Sequence, residues 1–141
     1  MRLSAKSVYA VRALLELALA TDERELMRIE DIARAQGIPE RFLPQIMLAM
    51  KSAGIVESRR GSQGGYRLAR PASAITLADV VRRFDRELFE DPAGGATGAR
   101  GAVEGALADV GRALEAALAG ISLADLVDRH RAAHAVLHYV I

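Results

Sequence analysis

Two short runs of strand-forming residues, Ile55-Val56-Glu57-Ser58-Arg59 and Tyr66-Arg67-Leu68-Ala69, stand on either side of Arg60-Gly61-Ser62-Gln63-Gly64-Gly65. Strand signals around a glycine-rich tip predict a β-hairpin. Where the hairpin falls constrains the fold more than its presence does. A two-stranded hairpin needs a neighbour to cover one face, and three helical segments precede it. Residues 4–20 place Val8, Val11, Leu15 and Ala18 at helical spacing, widened by Leu14 and Leu19, with Ser4 as N-cap and the polar cluster Thr21 to Glu25 as the stop. A second helix is predicted from about Ile29 to Gln36, with Ile32 and Ala33 inward and Gly37 ending it. The third segment, 39–53, is apolar at Phe42, Leu43, Ile46 and Met50 and ends at Gly54. Pro44 removes a backbone donor and crowds the carbonyl four residues back, so this helix starts near Leu43 or kinks there. Helix, helix, turn, helix, hairpin is the order of a winged helix-turn-helix.

Beyond Pro71, Thr76-Leu77-Ala78-Asp79 reads as a capping-box-like start, with Asp for the usual Glu or Gln, of a helix from Leu77 to about Phe84. Residues 86–101 hold Asp91-Pro92, Gly94-Gly95, Gly98 and Gly101 and read as a loop. A long helix follows over about Ala102 to Ala119, weakened at Gly105 and Gly111 by roughly 1 kcal/mol each, and Ser122 to Asp125 caps a last helix running toward Tyr139. Val103, Leu107, Val110, Leu114 and Leu118 form one narrow apolar stripe on the long helix. A ~70-residue winged module does not need that stripe for its own core, so it asks for a partner, most simply a second copy of the chain. The competing reading folds the stripe back on its own domain. The expected fold is mainly α with a small β-hairpin wing and a long dimerisation helix, divided into a winged helix-turn-helix over 1–71 and a dimerisation and sensor region over 72–141. The 27 alanines and 4% aromatics fit close helix contacts, although genome composition produces the same enrichment.

Charge separates the same two parts. Residues 1–71 carry 12 Lys/Arg against 8 Asp/Glu, a net of +4, whereas 72–141 carry 7 against 10, a net of −3. The excess concentrates in 41–71, where Arg41, Lys51, Arg59, Arg60, Arg67 and Arg70 face Glu57 alone. One half suits a polyanion and the other does not. In a helix-turn-helix the second helix enters the major groove while the wing meets phosphates or the minor groove. The leading end of that helix presents Pro39, Glu40, Arg41 and Gln45; Arg41 suits a bidentate contact to guanine and Gln45 one to adenine. Arg59 and Arg60 stand where the wing begins, and Gly61, Gly64 and Gly65 let backbone come close to DNA. Taken singly, each of these is also an ordinary solvated charge or turn residue.

Other chemistries lack their residues. There is no Cys, hence no disulfide, thiolate metal site or Cys nucleophile. No GxSxG, Walker loop or HExxH occurs, so an enzyme is not expected. No apolar run reaches the roughly 18–20 residues that cross a bilayer, and the chain reads as cytoplasmic with no membrane partner. His130, His134 and His138 share one face of the last helix and could grip a divalent ion, but carboxylates near them are sparse, and a solvated tail with no metal is the reading adopted.

The chain also resembles a family. Met1-Arg2-Leu3-Ser4, Tyr9 to Leu14, Ile32-Ala33, Gln36 to Leu43, Ala53 to Val56, Arg59-Arg60-Gly61 with Gly64 to Ala69, Ile75 to Val81, and Ile121 to Leu126 are similar to the IscR/NsrR-type winged-helix transcription regulators, the Rrf2 family. The resemblance covers 1–128. It implies a homodimer crossing through the long helix on a palindromic double-stranded DNA operator, with Arg41, Gln45 and Arg60 as contacts. IscR-like members often carry a Glu where this chain has Pro44, so an operator sequence does not carry over.

Many members of the family hold an iron–sulfur cluster on three Cys between the fourth helix and the dimer helix. Here that stretch offers Ala93, Ala96, Ala99, Ala102 and, further on, Ala106, and no thiolate. Clusters of this kind are thiolate-held, so none is expected in this chain. Either it is a naturally cluster-free member, or some of these alanines replace ligand cysteines, in which case the Cys-containing native form would hold a cluster and this is its apo form. The expected function is a homodimeric, sequence-specific DNA-binding repressor; the alternative is a partner-controlled protein-interaction module on the same fold.

Overall fold

A computed structural model describes residues 2–20, 22, 24–90 and 95–139, with side chains described as far as Leu137. Six α-helices and one hairpin are present among these residues: α1 Ala5–Leu19, α2 Ile29–Gln36, α3 Leu43–Ser52, β1 Val56–Arg59, β2 Gly65–Leu68, α4 Leu77–Phe84, α5 Gly98–Ala119 and α6 Leu123–Tyr139. Mainly helical, with an antiparallel two-stranded wing, this is the fold that the segment order predicts.

Local chemistry sets most boundaries. The Ser4 hydroxyl accepts from the Ser7 amide and caps α1. Gly37 closes α2 at φ 61°, ψ 37°, a left-handed conformation that glycine adopts without a Cβ penalty. Pro44 does not kink α3, because it lies in the first turn, where its missing N–H has no acceptor in any case. Glu40–Phe42 form a separate 3-10 turn ahead of it. At α4 the Thr76 hydroxyl and the Asp79 carboxylate each accept the other's backbone N–H, at 3.3 and 2.9 Å. Ser122 and Asp125 repeat the exchange at α6, at 2.8 and 3.1 Å. The Ser122 amide, then its hydroxyl, and Arg129 hold the Asp125 carboxyl below its ordinary range. This cap therefore survives mild acid and is lost only as the pH falls through that lowered value.

The long helix departs from expectation. It begins at Gly98, four residues before Ala102, so Gly98 and Gly101 lie inside its first turn. Gly98 enters at φ +69°, and a Cβ on Gly101 would stand 2.4 Å from the Ala96 carbonyl oxygen. These glycines serve a tight approach into the helix instead of a loop.

The main core gathers Ala10, Leu14, Ile32, Leu43, Ile46, Met47, Met50, Ile55, Ile75, Val80 and Leu123, with α1 running through the middle of it. It crosses residue 71. Leu77 N–H donates to the Ile121 carbonyl and Leu123 N–H to that of Ile75, both at 2.9 Å, pinning the start of α6 beside the start of α4. A smaller cluster of Ala78, Val81 and Leu118 includes Leu114 at its margin. The apolar stripe is thus divided. Leu114 and Leu118 pack within the chain, while Val103, Leu107 and Val110 are 60%, 60% and 65% exposed.

Candidate nucleic-acid interface

Leu43, Ile46, Met47 and Met50 anchor α3 in the core and turn Gln45, Leu48 and Lys51 outward. Pro39, Glu40 and Arg41 are exposed immediately ahead. The Arg41 guanidinium lies over the Phe42 ring, 4.9 Å from its centre, and Phe42 in turn packs 5.6 Å from Tyr9 on α1. A cation–π contact at an exposed site of this sort is worth about 0.5–1 kcal/mol.

The wing is seated by the segment before α2. Met27 and Tyr66 exchange both backbone hydrogen bonds at 2.8 Å, which gives the hairpin a third partner. Two glycines permit this closeness. A Cβ on Gly65, at φ +145°, would lie 2.6 Å from the Met27 carbonyl oxygen, and one on Gly64 would lie 2.3 Å from that of Arg59. Gly64 and Gly65 therefore have an intramolecular reason to be glycine. Gly61, at φ +109°, has nothing within 4 Å of its missing Cβ.

Arg28 completes the seating and was not singled out by sequence reasoning. It stands at the N-cap of α2, and its Nη2 donates to the Ser62 carbonyl at the wing tip over 2.6 Å. The partners lie 34 positions apart. No local pattern marks such a pair.

Electrostatics select which of the basic residues stay available. Arg67 lies directly opposite Glu57 in the hairpin and pairs with it at 3.0 Å, and Arg70 stands 4.0 Å from Asp79. Lys51, Arg59 and Arg60 make no ion pair among the described residues. These three, with Arg28, line one groove of about 510 Å3 between α3, the start of α2 and the wing, floored by Leu48, Gly64 and Gly65. The structure brings the wing residues Arg59, Arg60, Gly61, Gly64 and Gly65 to this groove; Pro39, Glu40, Arg41 and Gln45 stand outside its lining, at the leading end of the α3 side.

The alanines where cluster ligands are expected offer only methyl groups. Ala96 is half-buried just ahead of α5; Ala99, Ala102 and Ala106 are exposed on its first turns, and Ala93 lies outside the described residues. With no Cys in the chain, and no group of three His, Cys, Asp or Glu able to hold a metal among the described residues, these positions do not fit an iron–sulfur cluster. His130 and His134 lie with ring centres 4.5 Å apart, and the His138 side chain lies outside the described part. No helix among the described residues is long and apolar enough to cross a membrane.

Comparison with known proteins places this geometry. Residues 3–129 match the model of a family described as iron-dependent transcriptional regulators, Rrf2. The chain is 47% identical over 88 residues to a protein of Mycobacterium tuberculosis classed as an HTH-type transcriptional regulator, a match covering 62% of this chain and 54% of that one. It thus spans about half the length of that relative and of several others. To the regulator IscR of Photorhabdus laumondii it is 33% identical over 132 residues, 91% of this chain and 80% of that protein. Among solved structures, CymR, the global cysteine regulator of B. subtilis, superposes with a TM-score of 0.76 at 26% identity, covering 92% of this chain and 98% of the other. IscR of T. potens does so with 0.73 at 30% identity, covering 92% and 88%. These relatives are transcription regulators and not enzymes.

Proposed function

Because this chain belongs to the Rrf2 family of transcriptional regulators, we propose that it is a homodimeric repressor that reads a palindromic operator through Pro39, Glu40, Arg41 and Gln45 and grips the backbone through Arg59, Arg60 and Gly61. The observation that carries this reading is the single groove in which the outer face of α3 and the wing tip share Arg28, Lys51, Arg59 and Arg60, none of them paired with a carboxylate among the described residues. A lone carboxylate, Glu30, stands on the groove wall. Phosphate contacts of this kind supply affinity and register, and the side chains at the head of α3 supply base discrimination. Leu48, 62% exposed beside Gln45 and Lys51, adds an apolar contact suited to a thymine methyl.

The chain divides by role, 1–71 contacting DNA and 72–141 providing dimerisation and signal input, on a core that both parts share. Within the second part, Val103, Leu107 and Val110 form the contact between copies, and Leu114 and Leu118 serve the chain's own fold. Pairing two copies sets the recognition helices about 34 Å apart, one duplex turn. Leu107→Asp should yield a folded monomer in light scattering and lose most operator affinity, since the helix core beneath Leu114 is untouched. The chain works without a cluster, so its DNA affinity should be the same in air and under anaerobic conditions. The protein-interaction alternative has no observation of its own in its favour.

The test is a titration of operator-bearing duplexes, obtained by enrichment from genomic fragments, with two variants. Arg41→Ala should cost about 1–3 kcal/mol and relax preference at one base position in each half-site. Arg60→Ala should weaken all sequences alike and lower the salt slope by roughly 1. Unchanged affinity in both removes the assigned site.

A further inference from the structure

A second basic concavity lies at the other end of the wing. A groove of about 520 Å3 opens between the end of α3, the chain after β2, and α4, lined by Arg70, Arg82, Arg83 and Arg86 with Ile55 and Asp79. Four guanidinium groups face one carboxylate. Asp79 accepts the Thr76 amide in the α4 cap and also stands 4.0 Å from Arg70 across the groove. Arg82 pairs with Glu115 on α5 and Arg86 with Glu90, both outside the groove wall, and Arg83 makes no ion pair or hydrogen bond with any described residue. Arg83 is thus the one guanidinium of the four without an ion pair among the described residues, and the exposed pairs of the other three are weak enough for a phosphate group to compete with.

Its position separates it from the DNA-facing groove. Ile55 is on its wall, whereas Arg59 is on the wall of the other, and the strand between them covers about 13 Å. Guanidinium forks match phosphate oxygens in pairs.

We propose that the groove of Arg70, Arg82, Arg83 and Arg86 binds a small phosphate-bearing polyanion at the join between the wing base and α4. The occupant would bridge the wing-bearing part of the chain and the helix leading toward α5, the place from which an effector can act on both.

Isothermal titration of the full chain with inorganic pyrophosphate at low ionic strength, without DNA, tests the site independently of the operator reading. Saturable binding should occur in the wild type and weaken at least roughly tenfold in both Arg83→Ala and Arg83→Ala/Arg86→Ala. Both positions are exposed, so thermal unfolding should be unchanged, and duplex affinity without pyrophosphate should equal that of the wild type. Equal pyrophosphate binding by wild type and both variants overturns the proposal. So does a loss of duplex affinity in Arg83→Ala that matches the loss of pyrophosphate binding, because the groove would then be an extension of the DNA contact.

Discussion

Gly65→Ala should lower operator affinity at least roughly a hundredfold while leaving the helices folded. The methyl group would meet the Met27 carbonyl oxygen at 2.6 Å, with backbone on both sides and a φ of +145° that an L side chain rarely adopts. Neither partner is the yielding end of a flexible side chain. The hairpin must therefore leave Met27, breaking the two 2.8 Å hydrogen bonds of the Met27–Tyr66 bridge and drawing the Ser62 carbonyl away from Arg28. Arg59 and Arg60 are displaced together. Each such arginine contributes about 1–3 kcal/mol, so losing both gives the stated factor. Circular dichroism should show the wild-type helix signal, because the contacts of α1 with α2, α3, α4 and α6 do not run through the hairpin. Wild-type affinity in Gly65→Ala would mean that the wing's seat does not matter for binding.

Asp85→Ala should act on stability. Asp85 is 5% exposed at the end of α4, and its Oδ2 accepts from the Ser4 amide, the Ser4 hydroxyl and the fully buried Ser7 hydroxyl, at 3.1, 3.0 and 2.5 Å. Removing the carboxylate leaves the buried Ser7 hydroxyl without its partner, whereas Ser4 is only half-buried. The expected cost is about 3 kcal/mol, since each buried donor without a partner costs about 1–3 kcal/mol and the Ser4 groups recover water. At fixed protein concentration this corresponds to a melting temperature lower by roughly 10 °C. Ser7→Ala removes one donor and leaves the carboxylate its other two, so its effect should be about 1 kcal/mol. A melting temperature in Asp85→Ala equal to that of the wild type would show that the α1–α4 junction is held by packing alone.

These two residues mark where sequence reasoning reached and where it stopped. Signals confined to a few neighbouring residues were legible. Gly37 stops α2, Pro44 falls in a first turn, and Thr76 with Asp79 forms the cap that their spacing predicts. The wing itself was legible from its glycines, but their reason was not. Gly64 and Gly65 are forced by the approach of Arg59 and Met27, and Met27 lies far away along the chain. Arg28 and Asp85 reach partners 34 and 78–81 positions distant, which only the closed fold brings together. Helical spacing placed the five residues from Val103 to Leu118 on one stripe. It could not show that α4 takes Leu114 and Leu118 and leaves the other three exposed. The start of α5 was set too late because Gly98 and Gly101 have the composition of a loop and the job of a tight helix start.

Hydroxyl-radical footprinting on the most enriched genomic duplex shows whether paired chains grip DNA through α3 and the wing. Two symmetric protected patches about one helical turn apart are expected, with the flanking minor-groove protection lost in Arg59→Ala/Arg60→Ala and the central pattern kept. A footprint that is identical in that double variant, or a dimeric protein that enriches no duplex from the genome, would contradict that grip.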